Sequence, residues 1–367
     1  MTPLDIALAA IRDNSLPDAA SQLVCAKCIG LMCGYDARWS ASEYKIDSVE
    51  KTVTANLWNP ATNYKSRSFS IAGKIDVTAR YRDHRVIFDH KTTSEEIADP
   101  GAPFWRQLVI EGQPSMYMLL EWLNQRKVDD AVWDVVRKPS ITPRALYKAE
   151  LTRLQSDGTY FEYTPSEASR MDVLTTAREN NEFYSARLAY DCAKERPERY
   201  FQRRSVPRLD SEIHEFATEL WEQSQEILHA RIKNRHSRNS GACMAFHRPC
   251  MYLGICSGYD TPDSDNWKRK LQVHSELPIL TGDGKNVLTV SRLKEFQLCR
   301  RRHFYRYEMG IERQRADDGE ALYFGTLWHI GLEAYFLALK ETQNGTADAE
   351  GIVLTASSTN SNERRIA

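Results

Sequence analysis

Phe69-Ser70-Ile71-Ala72-Gly73-Lys74-Ile75-Asp76-Val77-Thr78-Ala79-Arg80-Tyr81, then Arg82-Asp83-His84-Arg85, then Val86-Ile87-Phe88-Asp89-His90-Lys91-Thr92, is the stretch that decides the fold. Two runs that alternate apolar and polar residues flank a polar turn, the pattern of a β-hairpin. Side chains alternate between faces along a strand, so Lys74, Asp76 and Thr78 share one face while Ile75 and Val77 point the other way. Asp89 shares a face with Lys91 for the same reason. With the turn centred on Asp83 and His84, residue 78 pairs with 89 and 76 with 91, which gathers two carboxylates and an ammonium on one surface. Carboxylates that close repel each other, and a hard divalent cation such as Mg²⁺ relieves the repulsion. The bland alternative is a charged, solvated strand face.

The chain has 367 residues, 42% hydrophobic and 27% charged, an ordinary globular composition with length for one large domain or two. Its 49 Lys and Arg balance 50 Asp and Glu to a net charge of -1, so affinity for nucleic acid has to come from a local basic groove. No run reaches the ~20 apolar residues that span a bilayer, and the first residues lack a signal-peptide pattern, so a cytoplasmic protein is expected, with no membrane partner. Eight cysteines in such a chain read as thiols or metal ligands and not as a disulfide framework.

Outward from the hairpin, residues 3 to 40 show helical spacing broken near Ser15-Leu16-Pro17, predicting two helices. Cys25, Cys28 and Cys33 lie inside the second, where a buried thiol packs as a small hydrophobe. Lys45 to Trp58 reads as a strand and Asn59 to Asn63 as the turn into the hairpin. After the break at Asp99 to Pro103, a helix that begins at Gln113, with Pro114 in its first turn, puts Gln113 and Tyr117 one turn apart on the same side. Ala131 to Val136 is a buried strand, Pro139 to Asn180 a peripheral excursion, Tyr200 to Val206 an edge strand, and Leu209 to Ile232 a long helix ending in basic residues. Cys243, Cys250 and Cys256 then fall in one short loop, and clustered thiolates call for a soft metal, zinc or iron–sulfur.

Asp76 followed by Asp89-x-Lys91 resembles the PD-(D/E)XK nucleases, and the wording Gly73-Lys74-Ile75-Asp76 with Ile87-Phe88-Asp89-His90-Lys91-Thr92 is most similar to their RecB-like branch. In that branch a Gln-x-x-x-Tyr helix follows, as Gln113 and Tyr117 do here. The cysteine loop resembles the triad of iron–sulfur RecB-like nucleases, including AddB-type helicase subunits and CRISPR adaptation nucleases, whose fourth ligand lies near the domain start. Leu288 to Tyr307 and Tyr323 to Phe336 resemble that start, with Cys299 as the first cluster cysteine and Gly325-x-x-x-His329 bringing a metal histidine. Here this opening follows the cysteine loop, so the chain is either circularly permuted or the tail of one copy joined to the head of a second.

The resemblance implies an α/β, restriction-endonuclease-like fold, a central mixed sheet flanked by helices with an Fe–S staple. It places the body over 1–260 and the displaced opening over 288–340; the polar, turn-rich stretch 261–287 reads as a linker, and 341–367, ending in small polar residues without periodicity, as a disordered tail. The resemblance implies a metal-dependent DNA nuclease, exonuclease or single-strand-directed, working in recombination, repair or phage DNA processing with a helicase or recombination partner. Asp76, Asp89, the His90 carbonyl and His329 would hold Mg²⁺ or Mn²⁺. Lys91 would orient the attacking water, Gln113 and Tyr117 would contact the strand, and Arg300, Arg301 and Arg302 would meet phosphates. Cys243, Cys250, Cys256 and Cys299 would hold a 4Fe–4S cluster, with Zn²⁺ and His247 as the alternative. The competing readings are a DNA-binding protein that no longer cuts and a zinc-stabilised interaction protein.

Overall fold

The computed structural model describes residues 1–245, 248–275, 277–278, 286–314 and 319–345. In chain order the elements are α1 (Pro3–Asp13), α2 (Ala19–Trp39), β1 (Lys45–Trp58), β2 (Lys65–Tyr81), β3 (His84–Thr93), α3 (Pro103–Val109), α4 (Gly112–Leu123), β4 (Asp130–Arg137), α5 (Lys148–Ser156), α6 (Glu167–Thr176), α7 (Asn181–Tyr190), α8 (Pro197–Tyr200), β5 (Phe201–Ser205) and α9 (Asp210–Ile232). They are followed by β6 (Met244–Ala245), β7 (Arg248–Pro249), α10 (Leu253–Ser257), β8 (Trp267–Arg269), β9 (Val287–Leu288), α11 (Val290–Leu298), α12 (Arg300–His303), β10 (Ile311–Arg313) and α13 (Glu320–Gln343).

The alternating runs fold as the hairpin their pattern predicts, at the centre of a mixed sheet ordered β1-β2-β3-β4-β5. β3 and β4 run parallel, and the other neighbours in that order run antiparallel. β9 pairs in parallel with Ser70 and Ile71, whose other edge is taken by Asn56 and Ala55 of β1, so β9 lies along the same edge of β2 as β3. β3 occupies that edge only over Val77 to Tyr81. Residues 72–76 therefore sit in a gap between two partner strands.

The register corrects the expected one. Tyr81 pairs with His84, so the turn is Arg82-Asp83, and Thr78 faces Ile87 instead of Asp89. Arg82 takes the left-handed φ of 55° that closes so tight a turn. A shift of two residues keeps every side chain on its own face. The alternation itself breaks across Asp76: Ile75 enters the core under α4, α9 and α11, whereas Val77 enters the core under α1, α2 and α13. On β1, Val49 and Val53 divide the same way, and Glu50 between them has a left-handed φ of 49°.

The displaced opening is built into the same body. α13 lies against α1, α2 and β1, and its Phe324, Leu327, Trp328 and Leu332 share one core with Ile11, Met32 and Tyr35. Gly331 makes the approach possible, since a Cβ there would stand 2.7 Å from Ile11 Cδ1 and 3.0 Å from Met32 Cε. The stretch read as a linker carries β8, which pairs with β10, together with buried Val273, His274 and Leu277. The excursion has its own small core of Leu146, Leu154, Tyr160, Val173 and Phe183. α13 reaches Gln343, and the tail from residue 346 lies outside the described residues.

Candidate active site

The gap in the sheet edge and the break in alternation meet at Asp76. Lys51 pairs with Ile75 and Val49 with Val77, so Glu50 stands across the ladder from Asp76. From above, α13 delivers His329, two residues before the Gly331 crossing. One ligating atom from each of Glu50, Asp76 and His329 lies within 4.8 Å of the others, the closest such group among the described residues. Glu50 was not anticipated, because its place depends on the β1–β2 register and on a bend that no residue of the local sequence announces.

The predicted residues divide between two adjoining clusters. Asp76 Oδ2 accepts the His90 N–H at 2.7 Å, which anchors the carboxylate where the β2–β3 ladder ends. Asp89 is buried and pairs with Lys91 Nζ at 2.5 Å. Lys91 also donates to Gln113 Oε1 at 2.9 Å, Gln113 Nε2 donates to Tyr117 Oη at 2.7 Å, and the Tyr117 hydroxyl donates to the Lys74 carbonyl at 2.7 Å. This chain of bonds holds the ammonium in place from α4. Gly73 permits it, since a Cβ there would meet the Tyr117 ring at 2.8 Å. The His90 ring is stacked on Phe336, with its centroid 6.3 Å from that of His329, and its Nδ1 lies 3.4 Å from Asp134 Oδ2.

The charge balance is that of a cation site. Burial, then the Asp89 charge, raises the Asp76 carboxyl to about 7. Burial, then the nearby cations His90, Lys91 and Lys74, lowers His329 to about 3, so its imidazole is neutral and able to ligate near neutral pH. For Lys91 burial works against the charge, but Asp89 outweighs it and the pKa is raised. Lys74 forms an ion pair with Glu50. Neither buried Asp89 oxygen accepts a well-formed hydrogen bond among the described residues. Two carboxylates and a neutral imidazole, with the Lys91-paired Asp89 beside them, fit a divalent ion that accepts oxygen and nitrogen ligands.

The arginine run does not stand free. Arg300 pairs with Glu226 at 2.5 Å, Arg301 Nε donates to the His236 carbonyl at 2.7 Å, and Arg302 pairs with Glu295 at 2.5 Å. These guanidiniums brace α11 and α12, each paired within the chain. Cys25 and Cys28 are buried in the core beneath α13, as their helical position suggested. Cys250 and Cys299 are close enough to raise the Cys256 thiol, after burial, and the Cys250 N–H donates to the Cys243 carbonyl at 2.8 Å. Among the described residues no three of these sulfurs come within 4.8 Å of one another. His247 lies outside the described residues.

A family model of the PD-(D/E)XK nuclease superfamily matches residues 287–364. The match covers the segment that carries Cys299, Gly325 and His329, and similarity to that superfamily implies nuclease-type hydrolysis of phosphodiester bonds with Mg²⁺ or Mn²⁺. No curated protein and no solved structure matches the chain. No described helix is long and apolar enough to cross a membrane.

Proposed function

We propose that this protein is a metal-dependent DNA nuclease whose site is assembled from β1, β2, β3, α4 and α13 of one chain. The observation that carries the reading is the meeting of Glu50, Asp76 and His329 within 4.8 Å, beside the Asp89–Lys91 pair. Glu50, Asp76 and His329 would hold the ion, with Asp89 and the His90 carbonyl completing its surroundings. Bound there, Mg²⁺ or Mn²⁺ supplies Lewis-acid polarisation of the phosphate and a lowered pKa for water.

The remaining work falls to the chain. Water adds to phosphorus, the bond to the leaving oxygen breaks, and a proton ends on that oxygen. Lys91, fixed by Asp89 and Gln113, orients the water and meets the negative charge that grows on the phosphoryl oxygens. Gln113 and Tyr117 line the strand's path and keep Lys91 from swinging to solvent. Exonucleolytic or single-strand-directed action in recombination, repair or phage DNA processing, beside a helicase or recombination partner, is the setting that the RecB-like resemblance suggests.

We further infer that Cys243, Cys250, Cys256 and Cys299 hold a 4Fe–4S cluster. Its support is that the turn after α12, through Phe304 and Tyr305, and the 243–256 loop share the small core of Tyr252, Trp267, Tyr305 and Ile311, with Cys250 and Cys256 packed against it.

The test of the nuclease reading is degradation of linear and circular DNA with Mn²⁺ or Mg²⁺. Cleavage by the wild type and its loss in Asp76→Ala are expected. Equal cleavage by that variant would overturn the assignment.

A further inference from the structure

One carboxylate is buried in the apolar run of β4. Asp134 is 1% exposed, and the interior of its strand is otherwise Ala131, Val132, Trp133, Val135 and Val136. The strand registers align it on one rung with His90 of β3 and Arg203 of β5. Asp134 Oδ2 lies 3.4 Å from His90 Nδ1 and 3.3 Å from Arg203 Nη2, and it accepts the hydroxyl hydrogen of Tyr35 from α2. Arg203 Nη2 donates to the same hydroxyl oxygen at 2.9 Å, with its guanidinium 4.3 Å from the centroid of the Trp39 ring. Ion pairs buried this deeply seldom add stability over well-packed apolar residues, because desolvation offsets the attraction. The rung therefore calls for a reason beyond holding the sheet together.

That reason lies at the His90 end. The β2–β3 ladder stops at Val77 and Phe88, so among the described residues Asp89, His90 and Lys91 have β4 as their strand partner, while their other edge faces the gap. The His90 N–H crosses that gap to Asp76 at 2.7 Å. The carbonyl of an extended residue points to the same edge as its N–H, so the His90 carbonyl faces the gap as well. Its ring lies against α13, stacked on Phe336 with 5.2 Å between centroids. Tyr35 packs edge-on against Trp328, the residue before His329, at 5.8 Å. One side chain is thus held between Asp134 and Phe336 while its backbone faces the metal cluster. Groups one layer behind a metal's ligands commonly set the orientation of those ligands.

We propose that Asp134 and Tyr35 are positioning residues for the metal site: with Arg203 they fix the His90 imidazole, and through it the N–H that anchors Asp76 and the carbonyl that faces the ion. Because Tyr35 comes from α2 and touches α13, the same contact registers β3 against the helix that delivers His329. The inference rests on the metal-dependent reading and adds to it buried side chains that lie out of reach of DNA.

The test is the Mn²⁺ affinity of the full chain by calorimetry, with the melting temperature of each metal-free variant recorded beside it. Tyr35→Phe removes a hydroxyl and no charge, so its loss of affinity, expected to be several-fold, reports orientation and not a weaker field. Asp134→Asn also removes the charge and is expected to weaken binding by about tenfold or more. Tyr200→Phe is the matched control. It removes another buried tyrosine bond to a carboxylate, from Tyr200 Oη to Asp191 Oδ2 at 2.6 Å, made within its own segment of chain. It should lower the melting temperature and leave Mn²⁺ affinity unchanged. Wild-type affinity in Tyr35→Phe, or an equal loss in Tyr200→Phe, overturns the proposal and leaves the metal-dependent reading standing. A wild type that binds no Mn²⁺ overturns that reading and the proposal with it.

Discussion

Glu50 faces Asp76 across the β1–β2 ladder, at the point where the alternation of both strands breaks and Glu50 takes a φ of 49°. A left-handed conformation at a non-glycine residue costs on the order of 1 kcal/mol and persists only where its surroundings enforce it. Here the bend turns a carboxylate toward Asp76 and His329, where Lys74 pairs with it and a bound cation would gather all three. Glu50→Gln is expected to weaken Mn²⁺ binding at least about tenfold, read by calorimetry or by the spectrum of free Mn²⁺. In the metal-free protein it should cost about 1 kcal/mol, because the ion pair with Lys74 is lost. Unchanged Mn²⁺ affinity would remove Glu50 from the site.

Lys91→Met separates catalysis from metal binding. The ammonium neutralises Asp89, which is buried, so its removal is expected to destabilise the metal-free protein by about 2 kcal/mol, discounted because the Lys91 side chain is about a third exposed. Saturating Mn²⁺ should restore much of that melting temperature while cleavage stays down at least about a hundredfold. Normal cleavage would show that Lys91 serves only to pair Asp89.

Much of this was legible in the sequence, for identifiable reasons. β1 and the hairpin follow from apolar alternation, β4 from a continuous apolar run and α4 from helical spacing after Pro114, and these elements carry Asp76, Asp89, Lys91, Gln113 and Tyr117, which the family resemblance singled out. Glu50 was not legible, because nothing local in Ser48 to Thr52 announces a bend. The hairpin register was misjudged by two because Arg82, without a glycine, accepts the left-handed position of the turn. Arg300 to Arg302 read as candidate phosphate contacts, and their partners within the chain, Glu226, the His236 carbonyl and Glu295, were not legible. Runs of charge are informative about surface only after the tertiary ion pairs are taken out.

Asp76 sets a pH dependence. Its folded pKa, about 7, lies above the ordinary carboxylate value, so the folded state holds a proton that the unfolded chain releases near 4. The stabilisation is full below pH 4 and is lost as pH rises through 7. In metal-free protein, the melting temperature of wild type relative to Asp76→Asn should therefore fall between about pH 5 and 8. Metal binding should strengthen over the same window and release a proton, seen as buffer-dependent binding heat. A difference in melting temperature that does not vary with pH would show that Asp76 is ionised in the folded protein throughout.

Anaerobically purified protein is expected to be brown, with iron and sulfide in equal amounts, and Cys299→Ser should lose the colour. Cys25→Ser should keep it, since that thiol lies in the core under α13. Colourless protein with one equivalent of zinc would instead assign the cysteine loop to zinc.

Packing and chemistry are coupled most tightly at Gly331. An alanine in a helix interior is favoured over glycine by about 1 kcal/mol, so by propensity alone Gly331→Ala should stabilise α13. The added methyl, however, would stand 2.7 Å from Ile11 Cδ1 and 2.9 Å from Ile11 Cγ1, with Met32 Cε at 3.0 Å. Overpacking of a filled core costs about 1–3 kcal/mol, enough to outweigh the helical gain. The net loss expected is about 1 kcal/mol, measured by urea denaturation. The larger effect should be on His329, which lies half a turn away and moves with α13 when the helix is pushed off α1 and α2. Mn²⁺ affinity is expected to fall several-fold even where the protein is fully folded. Ile11→Ala in the same chain removes the two nearest contacts and should restore Mn²⁺ affinity while lowering stability further, by about 2–4 kcal/mol for the cavity it opens. Recovery of binding in a less stable double variant is an outcome that general destabilisation does not produce. Weak binding that persists in the double variant would mean that the seating of α13 against α1 does not set the position of His329.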